Sequence, residues 1–127
     1  MPRGVAEATV RRFVDAFNAR DLDAFVDTLD PEIVIHSVRG LRHGISEARA
    51  WATRPPGGVQ QHVVIDELRQ SDDQVLALTR RQWFWDGTEE LASEDVMAHL
   101  FTLRGGRVVR WEPFESRTTA LAAAGLE

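Results

Sequence analysis

The hydrophobic period of this chain changes once, and that change constrains the fold more than any other feature. Before Pro55-Pro56-Gly57-Gly58 the apolar residues recur mostly at helical spacing. After that loop the pattern alternates, as in strands, over Gln61–Gln70, Val75–Trp85, Asp95–Arg104 and Arg107–Phe114. The breaks between these runs are short and turn-like, which predicts four antiparallel strands. A helical first half and a stranded second half indicate an α+β protein.

The first half begins with two short helices. Apolar residues of the first helix are spaced i, i+3, i+4 and i+7, at Val10, Phe13, Val14 and Phe17. Asp21 is placed to cap a second helix with the same spacing, so the pair forms a helical hairpin. Asp30-Pro31 ends that helix because the residue before proline avoids the α region. The β-branched run Ile33–Val38 then predicts a strand.

Two further helices complete the predicted order. Residues Ser46 to about Thr53 have a helical pattern, and Ser116 is placed to cap a last helix through Ala124, with Gly125 stopping it. The order is therefore α-α-β-α-β-β-β-β-α. Neither a repeat nor a change in composition divides the chain, so residues 1–127 are expected to form one domain.

Composition excludes several classes of function. The net charge is −5, and the fifteen basic residues, all arginine, are scattered among twenty acidic ones, which disfavours nucleic-acid binding. Cysteine is absent, which removes disulfides, thiolate metal sites and a cysteine nucleophile. The sequence contains no apolar run of the length that a signal peptide or a membrane span needs. We therefore expect a cytoplasmic protein that does not bind membranes.

Three local signatures follow one another along the chain: the helix pair Phe13–Phe25, the first strand Asp30–Ser37 and the final hairpin Phe101–Phe114, with Gly105-Gly106 at its turn. Together they resemble the nuclear-transport-factor-2-like superfamily, in its SnoaL-like or ketosteroid-isomerase-like branch. The resemblance covers nearly the whole chain. It implies a curved sheet wrapped around the helical hairpin, with a pocket inside this cone. The superfamily contains isomerases, polyketide cyclases, epoxide hydrolases and non-catalytic members, so fold alone does not fix the function.

Two known mechanisms of that superfamily do not transfer to this chain. The resemblance places the isomerase tyrosine and its two aspartates at Phe13, Ser37 and His99, and Ser37 cannot move a proton from carbon without a base. The limonene epoxide hydrolase pattern needs an aspartate two residues after Trp111, where Pro113 stands. The chain is therefore expected to be neither a standard ketosteroid isomerase nor an epoxide hydrolase of that type.

His99 is the leading candidate for chemistry. Strand alternation places Asp95, Met97, His99, Phe101 and Leu103 on one face, and the resemblance implies that this face lines the cavity. The last strand would then present Val109, Trp111, Pro113 and Glu115 to the same cavity. An unperturbed histidine has a pKa of ~6.5, which suits a general acid or base. The alternative is a core histidine whose hydrogen bonds are satisfied, with a solvated Glu115.

Trp83 and Trp85 alternate around Phe84, so one face of their strand is doubly aromatic. If they point inward, they form a slot for a planar ligand; if outward, they form a dimer patch. We expect the inward orientation. Arg81 has the same parity and would be a charge partner or an anion clamp, with Arg80 and Gln82 as the alternatives if the parity is reversed.

These features give two functional hypotheses and a weaker third. The first is a SnoaL-like, cofactor-free enzyme that cyclises, isomerises or dehydrates an apolar carbonyl compound. In it, His99 is the acid or base, and Ser37, Arg81 or Glu115 holds the substrate oxygen. The second is a non-catalytic ligand-binding or dimerisation module, and the third is a protein-interaction module.

The first two hypotheses predict a closed pocket of a few hundred Å³ around a small apolar molecule. Its expected walls are Phe13, Phe17, Trp51, Met97, Phe101 and Trp111, with Trp83 and Trp85 as further contacts. No metal site is expected, because no His/carboxylate spacing matches a metal motif. We also expect a homodimer through the outer face of the sheet, because the helices of so small a domain cover only the inner face.

Overall fold

The amphipathic spacing of the first half does form a helical hairpin. The computed structural model describes residues 3–37, 40–53, 59–85, 88 and 90–126. Its first two helices are α1 (Arg3–Ala19) and α2 (Leu22–Asp27). The Asp21 side chain accepts a hydrogen bond from the backbone N–H of Ala24, which confirms the predicted N-cap.

The remaining elements form one six-stranded curved sheet with two further helices. The strands are β1 (Leu29–Ser37), β2 (Gly40–His43), β3 (Val59–Ser71), β4 (Gln74–Trp85), β5 (Leu91–Arg104) and β6 (Arg107–Phe114). The helices are α3 (Gly44–Ala52) and α4 (Arg117–Ala124). The sheet order is β2-β1-β6-β5-β4-β3. Strands β3 to β6 are antiparallel as predicted, whereas β1 runs parallel to β6.

Local turn chemistry sets several boundaries. Gly105 and Gly106 both have positive φ, at 59° and 81°, which is the backbone of a tight hairpin and confirms the predicted turn. Ser116 caps α4 through the backbone N–H of Thr119, and Gly125 ends the helix in the left-handed conformation. The loop over residues 54–58 and the turn at residues 86–87 lie outside the described residues.

The sequence interpretation missed one strand. The sequence pattern predicted no strand between the strand that begins at Ile33 and the helix that begins at Ser46, but Gly40–His43 forms β2 and pairs antiparallel with β1. Strand β1 also begins at Leu29, before the predicted start at Ile33. Pro31 fits there because the register between β1 and β6 shifts between Leu29 and Val34, so no regular ladder requires its missing N–H.

The two faces of the sheet have different partners. The inner face packs against α1, α2 and α3 through a large apolar core that includes Phe13, Phe25, Val75 and Phe101. The outer face packs against α4 through a second, smaller cluster of buried residues: Leu76, Leu78, Ala98, Leu100, Ala120 and Ala124. The expectation that helices cover only the inner face is therefore wrong, because α4 folds back over β4 and β5.

A β-bulge in β6 changes which of its side chains point inward. Leu103 pairs with Val108 and Thr102 pairs with Arg110, so Val109 has no direct partner on β5. Val108 is consequently buried in the inner core. Val109 lies instead in a groove on the outer face beside Thr102 and Arg110. The inward placement predicted for Val109 is wrong, whereas that of Trp111 is confirmed, since it is buried in the inner core.

Candidate functional site

A narrow cleft lies between the first helices and the inner face of the sheet. Its lining is almost entirely apolar and aromatic: Phe13, Val14, Phe17, Trp51, Gln61, Val63, His99, Phe101 and Trp111. The cavity volume is about 10 Å³, which is the room of one water molecule. The sequence predicted a closed pocket of a few hundred Å³, and the cleft is far smaller than that. A larger ligand must displace the aromatic walls.

The walls are a series of ring contacts, in which Phe25 links Phe13 to Phe17. Phe13 meets Phe101 edge to face, with ring centres 5.0 Å apart. Phe17 stacks on Trp51 at 5.2 Å, and Trp51 contacts Trp111 at 5.0 Å. Because helix α3 supplies Trp51 alone to this series, a small movement of α3 would widen the cleft between Phe17 and Trp111.

His99 ends this aromatic series and is the most buried polar side chain of the cleft. It is only 1% exposed, and its ring stacks on Trp111 with centres 4.9 Å apart and planes at 19°. Its Nδ1 lies 3.0 Å from the hydroxyl oxygen of Thr79, a fully buried residue on β4. Stacking and this hydrogen bond together fix the ring plane. Its Nε2 has no hydrogen-bond partner within the described part of the chain.

The Thr79 hydroxyl decides which nitrogen of His99 carries the proton. Among the described residues, Nδ1 of His99 is the sole hydrogen-bond partner of that hydroxyl. A buried O–H without an acceptor would cost about 1–3 kcal/mol, so the hydroxyl donates to Nδ1. Nδ1 is then the bare nitrogen and Nε2 carries the hydrogen. The cleft therefore contains a fixed N–H donor.

Burial keeps this imidazole neutral. Removal of the ring from water, helped by the positive charge of Arg81, lowers the pKa of His99 from 6.5 to about 3. The reason for choosing His99 from the sequence, a pKa near neutrality, is therefore wrong. A neutral imidazole with so low a pKa is a weak base, but its N–H remains a hydrogen-bond donor across the neutral pH range.

Gln61 is a second polar group in the cleft that the sequence interpretation missed. It lies on β3 next to Val63, whose backbone N–H and C=O both bond the Asn18 side chain at 2.8 Å. Arg20 donates to the Gln61 carbonyl at 2.9 Å and lies over the Phe17 ring. The end of α1 thus fixes this part of β3. Asn18 was the residue that could have indicated this contact with β3, but in the sequence it appears only as part of the helix-pair signature.

Arg81 lies on the cleft side of the sheet but in a neighbouring recess of about 310 Å³. The lining of that recess also contains Asp95, Met97 and Glu115. Arg81 donates to Asp95 at 3.0 Å, and this hydrogen bond is the main cause that lowers the pKa of Asp95. Arg81 is therefore already paired with a carboxylate. Met97 is buried, but it borders this recess rather than the cleft, so its predicted place in the wall is wrong.

The other predicted site residues lie away from the cleft. The Ser37 hydroxyl, at the end of β1, donates to the carbonyl of Gly40. Trp83 faces inward, since it pairs with Gln61 of the cleft and donates to Asp95 at 3.4 Å. Trp85, at the strand end, is 50% exposed. Glu115 is exposed at the edge of the recess. The structure brings together His99 and the aromatic walls, not the four predicted catalytic residues.

Within residues 3–37, 40–53, 59–85, 88 and 90–126, His, Asp and Glu side chains do not cluster in threes that could bind a metal ion. None of the helices in this described part has the length and apolar character to cross a membrane.

Fold and site together define a class: a curved six-stranded sheet packed on a helical hairpin, with an apolar internal cleft. The sequence profile of the SnoaL-like domain matches residues 10–111. The chain therefore belongs to the SnoaL-like family. No curated protein sequence matches it.

Several solved structures have the same fold. One is an LEH-like epoxide hydrolase from M. tuberculosis, 17% identical, with a TM-score of 0.75 over 97% of this chain and 93% of that one. A second is an NTF2-like protein of unknown function from Burkholderia pseudomallei K96243, 21% identical, with a TM-score of 0.74 over 94% and 97%. A third, from Catenulispora acidiphila DSM 44928, has a ketosteroid isomerase-like fold; it is 19% identical, with a TM-score of 0.71 over 94% and 93%. At these identities the likeness is one of fold.

Proposed function

We propose that this protein binds a small, flat, mostly apolar carbonyl compound and activates it by hydrogen bonding from His99. The observation that carries the proposal is the Nε2 atom of His99, which is buried, bonded to nothing among the described residues, and part of an apolar cleft. A buried donor without a partner costs free energy, and a ligand oxygen would remove that cost. Aromatic walls favour a planar ligand.

The chemistry proposed is cofactor-free isomerisation, cyclisation or dehydration. Each of these reactions can develop negative charge on a carbonyl oxygen as a proton leaves the neighbouring carbon. A fixed N–H in a dry site stabilises that charge, and removal of one such donor typically lowers the rate by about 10²–10³-fold. In this scheme His99 polarises the carbonyl, whereas a basic group of the substrate itself takes the proton, because a histidine with a pKa of about 3 is too weak a base.

The second candidate is a non-catalytic binding module. It is favoured by one observation: the described residues that line the cleft include no carboxylate, so no strong base faces the ligand. A neutral donor and a half-buried Gln61 are sufficient to bind a ligand and orient it. Turnover, rather than binding, separates the two candidates.

A matched pair of ligands tests both candidates. A planar cyclic enone and its hydrocarbon analogue without the oxygen are titrated into the native protein, the His99→Leu variant and a Ser37→Ala control, with binding followed by NMR. The native protein should bind the enone about tenfold more tightly than the hydrocarbon, since one net hydrogen bond is at stake. His99→Leu should lose this preference, and Ser37→Ala should keep it because Ser37 lies outside the cleft.

Deuterium exchange at the carbon beside the carbonyl then reports turnover. Exchange in D₂O buffer that is faster with the native protein than without protein, and about 10²–10³-fold slower with His99→Leu, supports the enzyme. Exchange at the buffer rate with intact enone preference supports the binding module. If native protein and His99→Leu show the same ratio of enone to hydrocarbon affinity, the role given to His99 is wrong.

A further inference from the structure

Arg117, the first residue of α4, reaches the strands that build the His99 site from the outer face of the sheet. Its Nε donates to the backbone carbonyl of Met97 at 3.1 Å, and a terminal nitrogen donates to the carbonyl of Thr79 at 2.9 Å. The same terminal nitrogen lies 2.8 Å from a carboxylate oxygen of Asp66. Three acceptors on three strands therefore converge on one guanidinium.

The two carbonyls belong to the backbone around His99. Thr79 and Met97 are directly opposite each other in the β4–β5 ladder, and the Thr79 hydroxyl is the group that bonds Nδ1 of His99. The β3–β4 register also shifts beside Thr79, between Ile65 and Glu67. Such an irregularity weakens the ladder locally. The hydrogen bonds from Arg117 fix the backbone at this point in addition to those of the ladder.

Asp66 keeps the guanidinium in place. It lies in the irregular segment of β3 and also pairs with Arg80 at 3.0 Å. The hydrogen bond from Arg117 is the main cause that lowers the pKa of Asp66. The carboxylate is thus anionic at neutral pH and holds Arg117 toward the two carbonyls.

We infer that Arg117 is a positioning residue that fixes the His99 donor through the backbone of Thr79 and Met97. The planar fork of arginine can bond two carbonyls at once, which a lysine ammonium on a flexible stem does less well. Helix α4 on the outer face thereby determines the position of the His99 N–H on the inner face. Precision matters here because a catalytic hydrogen bond tolerates displacements of only about 0.5 Å. This role rests on the proposed function, in which the His99 N–H donates to the ligand oxygen.

The test uses ¹⁵N NMR of the His99 ring in the full-length protein, since the protonated and bare nitrogens of a neutral imidazole resonate far apart. The variants are Arg117→Ala and Arg117→Lys. The matched control is Leu121→Ala, which removes part of the α4 packing but leaves Arg117 in place. The native protein should show one tautomer, with the hydrogen on Nε2.

Arg117→Ala should raise the ratio of minor to major tautomer about fivefold to tenfold, because a weakened Thr79 hydrogen bond no longer selects one form. Arg117→Lys should give an intermediate value and serves as the deciding variant if Arg117→Ala does not fold. Leu121→Ala should lower the melting temperature without moving the His99 signals. Unchanged signals in both Arg117 variants, or equal changes in Leu121→Ala, would overturn the inference. Because no ligand is used, a failure of enone binding leaves this result intact.

Discussion

The burial of His99 as a neutral ring makes a quantitative prediction about pH. Its pKa is about 3 in the folded protein and 6.5 in the unfolded chain. Between these values the unfolded chain binds a proton that the native site does not, so the free energy of unfolding falls as pH falls from 6.5 toward 3. Each pH unit contributes about 1.4 kcal/mol, so about 3 kcal/mol is lost by pH 4.

The substitution His99→Gln isolates this contribution. Glutamine is neutral at every pH, and its amide can still accept from the Thr79 hydroxyl. At pH 7 the variant should be less stable than the native protein by about 1–3 kcal/mol, because ring stacking on Trp111 and a well-placed bond are lost. At pH 4 the free energy of unfolding of the native protein has fallen by about 3 kcal/mol because of His99, a loss that the variant does not undergo. The difference should therefore vanish or reverse.

The assay is urea unfolding followed by tryptophan fluorescence at pH 7 and pH 4 for both proteins. Carboxylates titrate equally in the two proteins, so their contributions cancel in the difference. A shift of 3 kcal/mol corresponds to about 10 °C in melting temperature for a chain of this size, which a thermal scan can check. Parallel pH profiles of native protein and His99→Gln would refute the picture of a buried neutral histidine.

Three further predictions address other parts of the structure. Trp51→Ala should widen the cleft and increase the binding of a planar apolar dye in a fluorescence titration, at a stability cost of about 2 kcal/mol because Trp51 is only half-buried. Asp30→Asn should cost about 1 kcal/mol at pH 7 and less at pH 2, as seen by urea unfolding at both pH values. The reason is that the hydrogen bond from Arg104 lowers the pKa of Asp30, so its stabilisation is lost as pH falls below about 4. We propose a homodimer through the outer face beside α4, where Val96 is 59% exposed; light scattering should give twice 14.3 kDa, and a monomer at all concentrations would contradict it.

Local rules account for what the sequence predicted correctly. Asp21, Ser116 and Gly125 act within one turn of their own positions, so their capping roles could be read directly. The tight turn at Gly105-Gly106 depends only on the backbone freedom of glycine. Alternation along β5 also placed His99 and Phe101 on the inner face, because no bulge interrupts β5 between them.

The errors arose where pairing between distant segments decides the outcome. The bulge that turns Val109 outward exists only relative to β5, so alternation along β6 could not reveal it. The bond from Thr79 to His99 depends on the register of β4 against β5, which the sequence does not specify. The sequence does contain the apolar side of α4, at Ala120 and Ala124. The packing of α4 on the outer face, however, depends on where the chain turns after β6.

The surroundings of His99 select a hydrogen-bond donor and disfavour an acid or a base. A carboxylate beside the ring would stabilise imidazolium and raise its pKa. Here the imidazole is buried away from water, and the nearby charge that acts on it is the positive charge of Arg81. Both influences oppose protonation, and the pairing of Arg81 with Asp95 keeps Arg81 in place. Because the ring stays neutral from about pH 4 upward, its donor strength does not change with pH over that range. Any pH dependence of activity near neutrality must therefore come from another group, either on the substrate or elsewhere in the protein.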